Sequence, residues 1–134
     1  MVIDTNVVFE GLTRQGGAAG LVIDAWLGRL LIAVVSNALA YEYADVLSRK
    51  LSPRRWTTVS PVLGALLERS KFVTVHYSWR PIGPDTADGH VIDCAMNAGA
   101  AVVTSNVKHF RMAQTSLGLY LLTPLELVTR LVKE

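Results

Sequence analysis

The stretch MVIDTNVVF, residues 1–9, places an aspartate and two further polar residues inside an apolar run. Val2 and Ile3 predict a short first strand that ends just before Asp4. The polar residues after it have two interpretations. They form a simple turn, which Asp and Asn favour, or Asp4 binds a ligand at the carboxyl end of a buried parallel strand, where open α/β sheets bind their ligands. These nine residues alone leave both interpretations open.

The composition of the chain bounds its class. At 134 residues, of which 51% are hydrophobic and 18% charged, we expect one globular domain, residues 1–134, with a sizeable core. The longest aliphatic run, residues 30–35, is too short for a membrane span, and we expect no signal peptide. The single cysteine, Cys94, is expected in the core. These features favour a cytoplasmic protein with no membrane partner.

Two groups of basic residues are candidates for contact with a phosphate backbone, although the formal net charge is only +2. Local basic clusters can follow a backbone of phosphates even when the total charge is modest. Ordinary solvated helix ends and loops are the alternative interpretation of each group. The candidate residues are Arg49, Lys50, Arg54 and Arg55, which surround Pro53, and Lys108 with Arg111.

Strand and helix patterns alternate along the chain. The clearest helix starts are Ser36, a hydroxyl N-cap, and Thr123–Pro124–Leu125–Glu126, where proline and glutamate follow the cap. Strands are predicted over residues 2–3, 31–35, 72–77, 101–104 and 119–122. Helices are predicted over residues 18–29, from 36 to 49, within 61–70, over 86–98 after Asp85 as the cap, and from 124 almost to the end. This alternation predicts a three-layer α/β/α sandwich with a central parallel sheet of about five strands.

Acidic and polar residues follow or flank several of these strands. Because the carboxyl ends of parallel strands share one edge of a sheet, Asp4 and Asn106 are expected near each other. Converging carboxylates repel one another unless a cation lies among them, and hard oxygen ligands suit Mg²⁺ or Mn²⁺. Such a site positions a water for attack on phosphate. The candidates are Asp4, Glu42, Asp88, Asp93 and the run Thr104–Ser105–Asn106.

Three segments, in this order and at this spacing, carry a resemblance to a known family: VIDTNVV (2–8), VVSNALAYEYADVL (34–47) and DTADGHVIDCAMNAGAAVVTSN (85–106). The chain resembles a PIN domain, and within that family it is similar to the bacterial VapC-like ribonuclease toxins of toxin–antitoxin systems. The resemblance covers essentially the whole chain. It implies a PIN fold, Mg²⁺- or Mn²⁺-dependent cleavage of RNA, and a protein antitoxin as partner. A mean hydropathy of +0.34 and three tryptophans favour a homodimer, as the resemblance also does.

Carried over position by position, the resemblance assigns Asp4, Glu42 and Asp88 as the catalytic acids that hold the metal. Thr5 and Asn6 match the polar pair that supports these carboxylates. The remaining supporting residues are Thr104, Asn106 and Asp93. Asn106 stands where many family members have a fourth acid, so the charge for a second metal is missing there. Asp93 is a candidate to supply part of that charge.

Several structural interpretations compete with these assignments. Asp88 can cap a helix together with Asp85, and Asp93 can be purely structural because five helical residues turn it about 140° away from Asp88. His90 and His109 are expected to be hydrogen-bonded residues rather than metal ligands. Tryptophans 26, 56 and 79 are expected as core or interface anchors rather than stacking platforms for bases.

Two other functions compete with a metal-dependent ribonuclease. A phosphohydrolase with Asp4 as nucleophile, as in haloacid-dehalogenase-like enzymes, needs a second aspartate two residues later, and Asn6 stands at that position. The other alternative is a catalytically weak or inactive PIN domain that binds RNA or a protein. The missing charge at Asn106 keeps this alternative open, and a titration with Mg²⁺ or Mn²⁺ separates it from the ribonuclease.

Overall fold

The computed structural model describes residues 1–14, 16–78 and 86–133. The strands of this part are β1 (Val2–Ile3), β2 (Ala33–Val35), β3 (Ser70–Phe72), β4 (Val102–Val103) and β5 (Leu121–Leu122). The helices are α1 (Thr5–Thr13), α2 (Ala18–Leu27), α3 (Asn37–Lys50), α4 (Pro53–Glu68), α5 (Thr86–Ala98), α6 (Arg111–Leu117) and α7 (Pro124–Lys133), with a 3₁₀ turn at Val107–Phe110. None of the described helices is long and apolar enough to cross a membrane.

All strand pairs are parallel, as predicted. A three-stranded sheet has the order β1-β4-β5, and a two-stranded sheet pairs β2 with β3. The N–H of Val34 donates to the Met1 carbonyl at 2.8 Å, so β2 lies along the free edge of β1. The five strands therefore follow one another in the order β3-β2-β1-β4-β5, although regular pairing divides them into two sheets instead of the single one expected.

Helices cover both faces of the central strands. Every residue of β1, β2 and β4 is buried, and successive side chains of a strand point to opposite faces. Helix α5 packs against all three of these strands. The buried side chains form one contiguous cluster, in which the largest are Trp26, Tyr43 and Phe110. This arrangement confirms the predicted α/β/α class.

The two predicted helix starts are confirmed by their capping bonds. Ser36 Oγ accepts the N–H of Leu39 at 3.1 Å. Thr123 and Glu126 cap reciprocally: the N–H of Thr123 donates to Glu126 Oε1 at 3.0 Å, and the N–H of Glu126 donates to Thr123 Oγ1 at 3.1 Å. Such reciprocal bonds satisfy backbone N–H groups that a helix start leaves without partners.

The helices differ from the prediction in three respects, one of which is that the short helix α6 at Arg111–Leu117 was not expected. Helix α1 was not expected, and it begins at Thr5, directly after Asp4. Helix α4 begins at Pro53 rather than near Pro61, because Ser52 Oγ accepts the N–H of Arg55 at 3.2 Å and proline suits the first helical position. Pro61 therefore lies inside the helix.

The strand predicted over residues 72–77 was wrong, since β3 ends at Phe72. Beyond Phe72, the side chain of Asn97 on α5 makes hydrogen bonds that a neighbouring strand would otherwise make. Asn97 Oδ1 accepts the N–H of His76 at 2.8 Å, and its Nδ2 donates to the Tyr77 carbonyl at 2.8 Å. A side chain thus satisfies backbone groups that β pairing otherwise satisfies. The predicted loop over 79–84, the cap Asp85 and Trp79 lie outside the described residues.

Candidate active site

Asp4 lies at the carboxyl end of β1, where the sequence predicted it. Its N–H donates to the Val103 carbonyl of β4 at 2.9 Å, and only 3% of the residue is exposed. Its Oδ2 accepts a hydrogen bond of 2.8 Å from Thr104 Oγ1, and the Thr104 oxygen accepts the N–H of Asn106 at 2.9 Å. The ends of β1 and β4 are therefore joined through side chains, and Thr104 and Asn106 lie next to Asp4 in this hydrogen-bonded chain.

Burial is the dominant influence on the Asp4 carboxyl. It raises the pKa above the ordinary value of 3.8, while the hydrogen bond from Thr104 and the backbone N–H groups of Thr5 and Asn6 act in the opposite direction. Desolvation penalises the charged form of an acid, and a nearby cation reverses that penalty. Asp4 is therefore a carboxylate whose charged form gains from a positive partner.

The three predicted acids line one cleft of about 420 Å³. Asp4 comes from the end of β1, Glu42 from the second turn of α3, and Asp88 from the first turn of α5. Asp88 is 7% exposed, whereas Glu42 is half-buried. The other lining residues are Thr5, Asn6, Asp45, Val46, Arg49, Lys50, His90 and His109.

Two histidines enter the cleft that the sequence analysis did not place there. His109 Nδ1 lies 3.7 Å from Asp88 Oδ2, and His90, two residues after Asp88, also lines the wall. His109 reaches this position because the 3₁₀ turn at Val107–Phe110 follows β4 closely. No local pattern in the sequence marks that turn. The spacing of His90 from Asp88 gave no indication either, because residues two apart on a helix point in nearly opposite directions.

The cleft provides oxygen ligands of the kind that a hydrated Mg²⁺ or Mn²⁺ accepts. In the described part of the chain, no group of three or more His, Cys, Asp or Glu side chains is close enough to hold an ion directly. Mg²⁺ keeps several waters and takes one or two carboxylates, so buried Asp4 and Asp88 suit it. The Thr5 hydroxyl is also buried and has no hydrogen-bond partner among the described residues. These features fit a water-bridged cation.

Asp93 lies outside the set of residues that line the cleft. It is 4% exposed, and its Oδ2 accepts a hydrogen bond of 2.9 Å from Ser78 Oγ. Its backbone carbonyl also accepts from Asn97 Nδ2 at 2.7 Å. The structure therefore gives Asp93 a role in holding residues 76–78 against α5. The suggestion that it supplies the charge missing at Asn106 finds no support in this geometry.

The basic residues divide between different surfaces. Arg49 and Lys50 line the cleft. Arg49 Nε donates to Asp45 Oδ2 at 2.9 Å, and Lys50 Nζ lies 5.1 Å from the centroid of the Phe9 ring. Arg54 and Arg55 line a second cavity instead. Lys108 and Arg111 are exposed beside His109 and do not line the cleft.

Comparison with known proteins identifies the family of this fold. The sequence model of the family described as "PIN domain" matches residues 1–108. The chain is also similar to a solved structure described as "Structure of FitAB bound to IR36 DNA fragment", with a TM-score of 0.60 and 16% identity over 92% of this chain and 94% of that one. At this identity the likeness bears on the fold alone. A search of curated proteins gave no match.

Proposed function

The chain belongs to the PIN domain family, and on this premise we propose that it is a metal-dependent endoribonuclease that acts as the toxin of a toxin–antitoxin pair. PIN domains are generally nucleases. The proposal adds three specific statements to that family property: the substrate is RNA, the cofactor is Mg²⁺ or Mn²⁺, and cleavage is controlled by a protein partner.

The observation that carries the proposal is the shared cleft of Asp4, Glu42 and Asp88. Two of these carboxylates are almost completely buried, and burying acids together is costly without a compensating cation. Acids that a protein needs only for solubility lie on its surface instead. A cleft that gathers them in its wall therefore favours a cation-binding role.

In this proposal Asp4, Glu42 and Asp88 hold the cation, directly or through water. When bound, Mg²⁺ or Mn²⁺ lowers the pKa of an attacking water and offsets the charge of the phosphate. Thr104 keeps the Asp4 carboxylate in one orientation through its hydrogen bond. Thr5 and Asn6 complete the wall beside Asp4.

Arg49 and Lys50 are proposed to bind the phosphate backbone of RNA at the cleft. Both side chains line the cleft and are exposed, so a substrate can reach them. The ion pair of Arg49 with Asp45 is open to solvent, with 61% and 49% of the two side chains exposed, and such pairs are weak. Lys108 and Arg111, exposed near His109, are proposed to extend this basic surface.

The proposed partners are a protein antitoxin and a second copy of this chain, with which it forms a homodimer. The proposed location is the cytoplasm. The similar solved structure is described as FitAB bound to a DNA fragment. A homodimer is supported by large apolar side chains that remain exposed, among them Leu30 at 71%, Ile32 at 69% and Tyr41 at 81%. Sedimentation that shows only monomer at micromolar concentration would contradict the dimer.

One alternative has a specific observation in its favour. Asn106 lacks the acid that many PIN domains have, and the described acids form no direct three-ligand cluster. Both facts suit a domain that binds RNA or protein without cutting. Incubation of single-stranded RNA with Mg²⁺, with Mn²⁺ and with EDTA tests the choice. Cleavage in either metal and none in EDTA supports the ribonuclease, whereas binding without cleavage in every buffer supports the alternative.

A further inference from the structure

A second cavity of about 420 Å³ lies between the last turn of α1 and the first turns of α4. Three arginines line it, and no acidic residue does. We call these three residues, Arg14, Arg54 and Arg55, the arginine pocket. The remaining lining residues are Gly11, Leu12, Thr13, Thr58 and Val59.

The positive charge of the arginine pocket is not neutralised within the described chain. No ion pair joins Arg14, Arg54 or Arg55 to a described carboxylate, and all three residues are exposed. The whole protein has a net charge of only +2, so three like charges around one cavity are a strong local concentration. Like charges repel one another, and an anion between them relieves that repulsion.

Arg55 is held at the pocket wall by the end of α1. Its Nη2 donates to the Thr13 carbonyl at 3.3 Å. A guanidinium has five N–H donors, so this bond leaves most of them available. The planar fork of arginine matches the paired oxygens of a phosphate better than a lysine does. An arginine oriented in advance loses less side-chain entropy when it binds.

We propose that the arginine pocket binds a phosphodiester group of the same RNA strand whose scissile phosphate lies in the cleft. This inference rests on the proposed function and adds to it a second phosphate subsite outside the cleft, with Arg14 as a member. It also implies that an RNA binds tightly only when it is long enough to reach both sites.

Helix α1 connects the two sites. Thr5 lies in the cleft wall and Thr13 in the pocket wall, which separates them by about 12 Å along the helix axis at about 1.5 Å per residue. Roughly three to four stacked nucleotides cover that distance at about 3.4 Å each. Lys50, which lines the cleft, lies over the ring of Phe9, midway along α1. Glu10, the acid on this part of α1, lines neither cavity.

The test compares RNA binding by two matched double variants in EDTA, where no cleavage interferes. R54A/R55A removes two charges from the pocket, and K71A/K133A removes two exposed charges elsewhere. Fluorescence anisotropy is measured over a range of salt with a single-stranded RNA of about twelve nucleotides, and a trinucleotide is measured by competition. Circular dichroism checks the fold. R14A is the second pocket variant, because it leaves the bond between Arg55 and Thr13 in place.

For the longer RNA we expect R54A/R55A to bind about tenfold more weakly than wild type. The slope of log affinity against log salt should fall by about 1.4, or about 0.7 per lost contact with a single strand. R14A should lower the slope by about 0.7. K71A/K133A should match wild type, and the pocket variants should lose less affinity for the trinucleotide than for the longer RNA, because the trinucleotide cannot reach both sites at once.

Unchanged affinity and salt slope in both pocket variants would overturn the proposal, as would an equal loss for the trinucleotide. A polyglutamate peptide that binds through Arg54 and Arg55, together with unchanged RNA binding, would assign the pocket to an acidic polypeptide instead. Failure of the proposed subsite can be distinguished from failure of the proposed catalytic activity. Wild-type protein that needs the pocket to bind RNA but cuts none in Mg²⁺ or Mn²⁺ would leave the subsite standing and contradict only the ribonuclease.

Discussion

The hydroxyl of Thr104 donates a hydrogen bond of 2.8 Å to Oδ2 of Asp4, across 100 residues of sequence. Both residues are buried, and the threonine oxygen in turn accepts the N–H of Asn106. The orientation of the proposed metal-binding carboxylate on β1 is therefore fixed by the neighbouring strand β4. Any substitution that breaks this hydrogen bond should affect both the stability of the fold and the proposed RNA cleavage.

Thr104→Val should destabilise the protein by about 1–3 kcal/mol, because the Asn106 N–H loses its buried acceptor. The pKa of Asp4 should rise further, since the Thr104 hydrogen bond lowers it. The acid limb of the cleavage profile should then move to higher pH. Urea unfolding and kcat/KM against pH measure the two effects. Thr104→Ser, which keeps the hydroxyl, is the control, and identical pH profiles for the Val and Ser variants would refute this coupling.

The raised pKa of Asp4 predicts how stability depends on pH without metal. The folded state binds the Asp4 proton more tightly than the unfolded state, whose pKa is near 3.8. This contribution is therefore fully present below about pH 3.8 and is lost as pH rises through the folded pKa. Asp4→Asn cannot titrate and should gain stability over wild type as pH rises from about 4 to about 7 in EDTA. Urea unfolding measures this, with exposed Asp45→Asn as control. A flat difference between wild type and Asp4→Asn would contradict it.

The side chain of Tyr43, on α3, also helps to hold the end of β1 in place. Its hydroxyl donates to the Ile3 carbonyl, next to Asp4, and burial raises the pKa of Tyr43 well above its usual range, so the donor stays protonated. Tyr43→Phe should cost about 1–3 kcal/mol in unfolding free energy, because the buried carbonyl loses its partner. Tyr41→Phe on the exposed side of the same helix should be neutral. Equal effects of the two changes would argue against a structural role for the Tyr43 hydroxyl.

Asp88 and Asp93 should differ sharply in metal binding, although both are buried acids on α5. Only Asp88 lines the cleft, whereas Asp93 holds Ser78. Isothermal titration with Mn²⁺ should show that Asp88→Asn weakens binding by about tenfold or more, while Asp93→Asn stays within about twofold of wild type. If Asp93→Asn lost as much affinity for Mn²⁺ as Asp88→Asn, Asp93 would have to be assigned to the metal site.

The features predicted best from the sequence depend on local chemistry. The caps at Ser36 and at Thr123 with Glu126 were predicted because a cap and its partner lie three residues apart. Asp4 was placed correctly because a carboxylate that follows a buried strand suggests a sheet edge. Such patterns need no knowledge of distant contacts.

Most of the features that were missed depend on tertiary contacts, and helix α1 is an exception. Helix α1 was not predicted because Asp4, Thr5 and Asn6 suggest a turn as readily as a helix start. The strand expected at 72–77 fails because Asn97, about twenty residues later, takes its backbone hydrogen bonds. His109 reaches Asp88 only through the 3₁₀ turn after β4. The division of the basic residues between cleft and arginine pocket likewise follows from helix packing.

The most direct test of the proposed function is a paired assay of RNA cleavage and RNA binding by wild type and Asp4→Asn in Mn²⁺. The amide keeps the shape of the side chain and removes the charge that is proposed to hold the cation. Cleavage by Asp4→Asn should fall by at least about a hundredfold, while RNA binding through Arg49 and Lys50 should stay within about threefold and weaken with salt. Full cleavage by Asp4→Asn would contradict the metal-dependent nuclease outright.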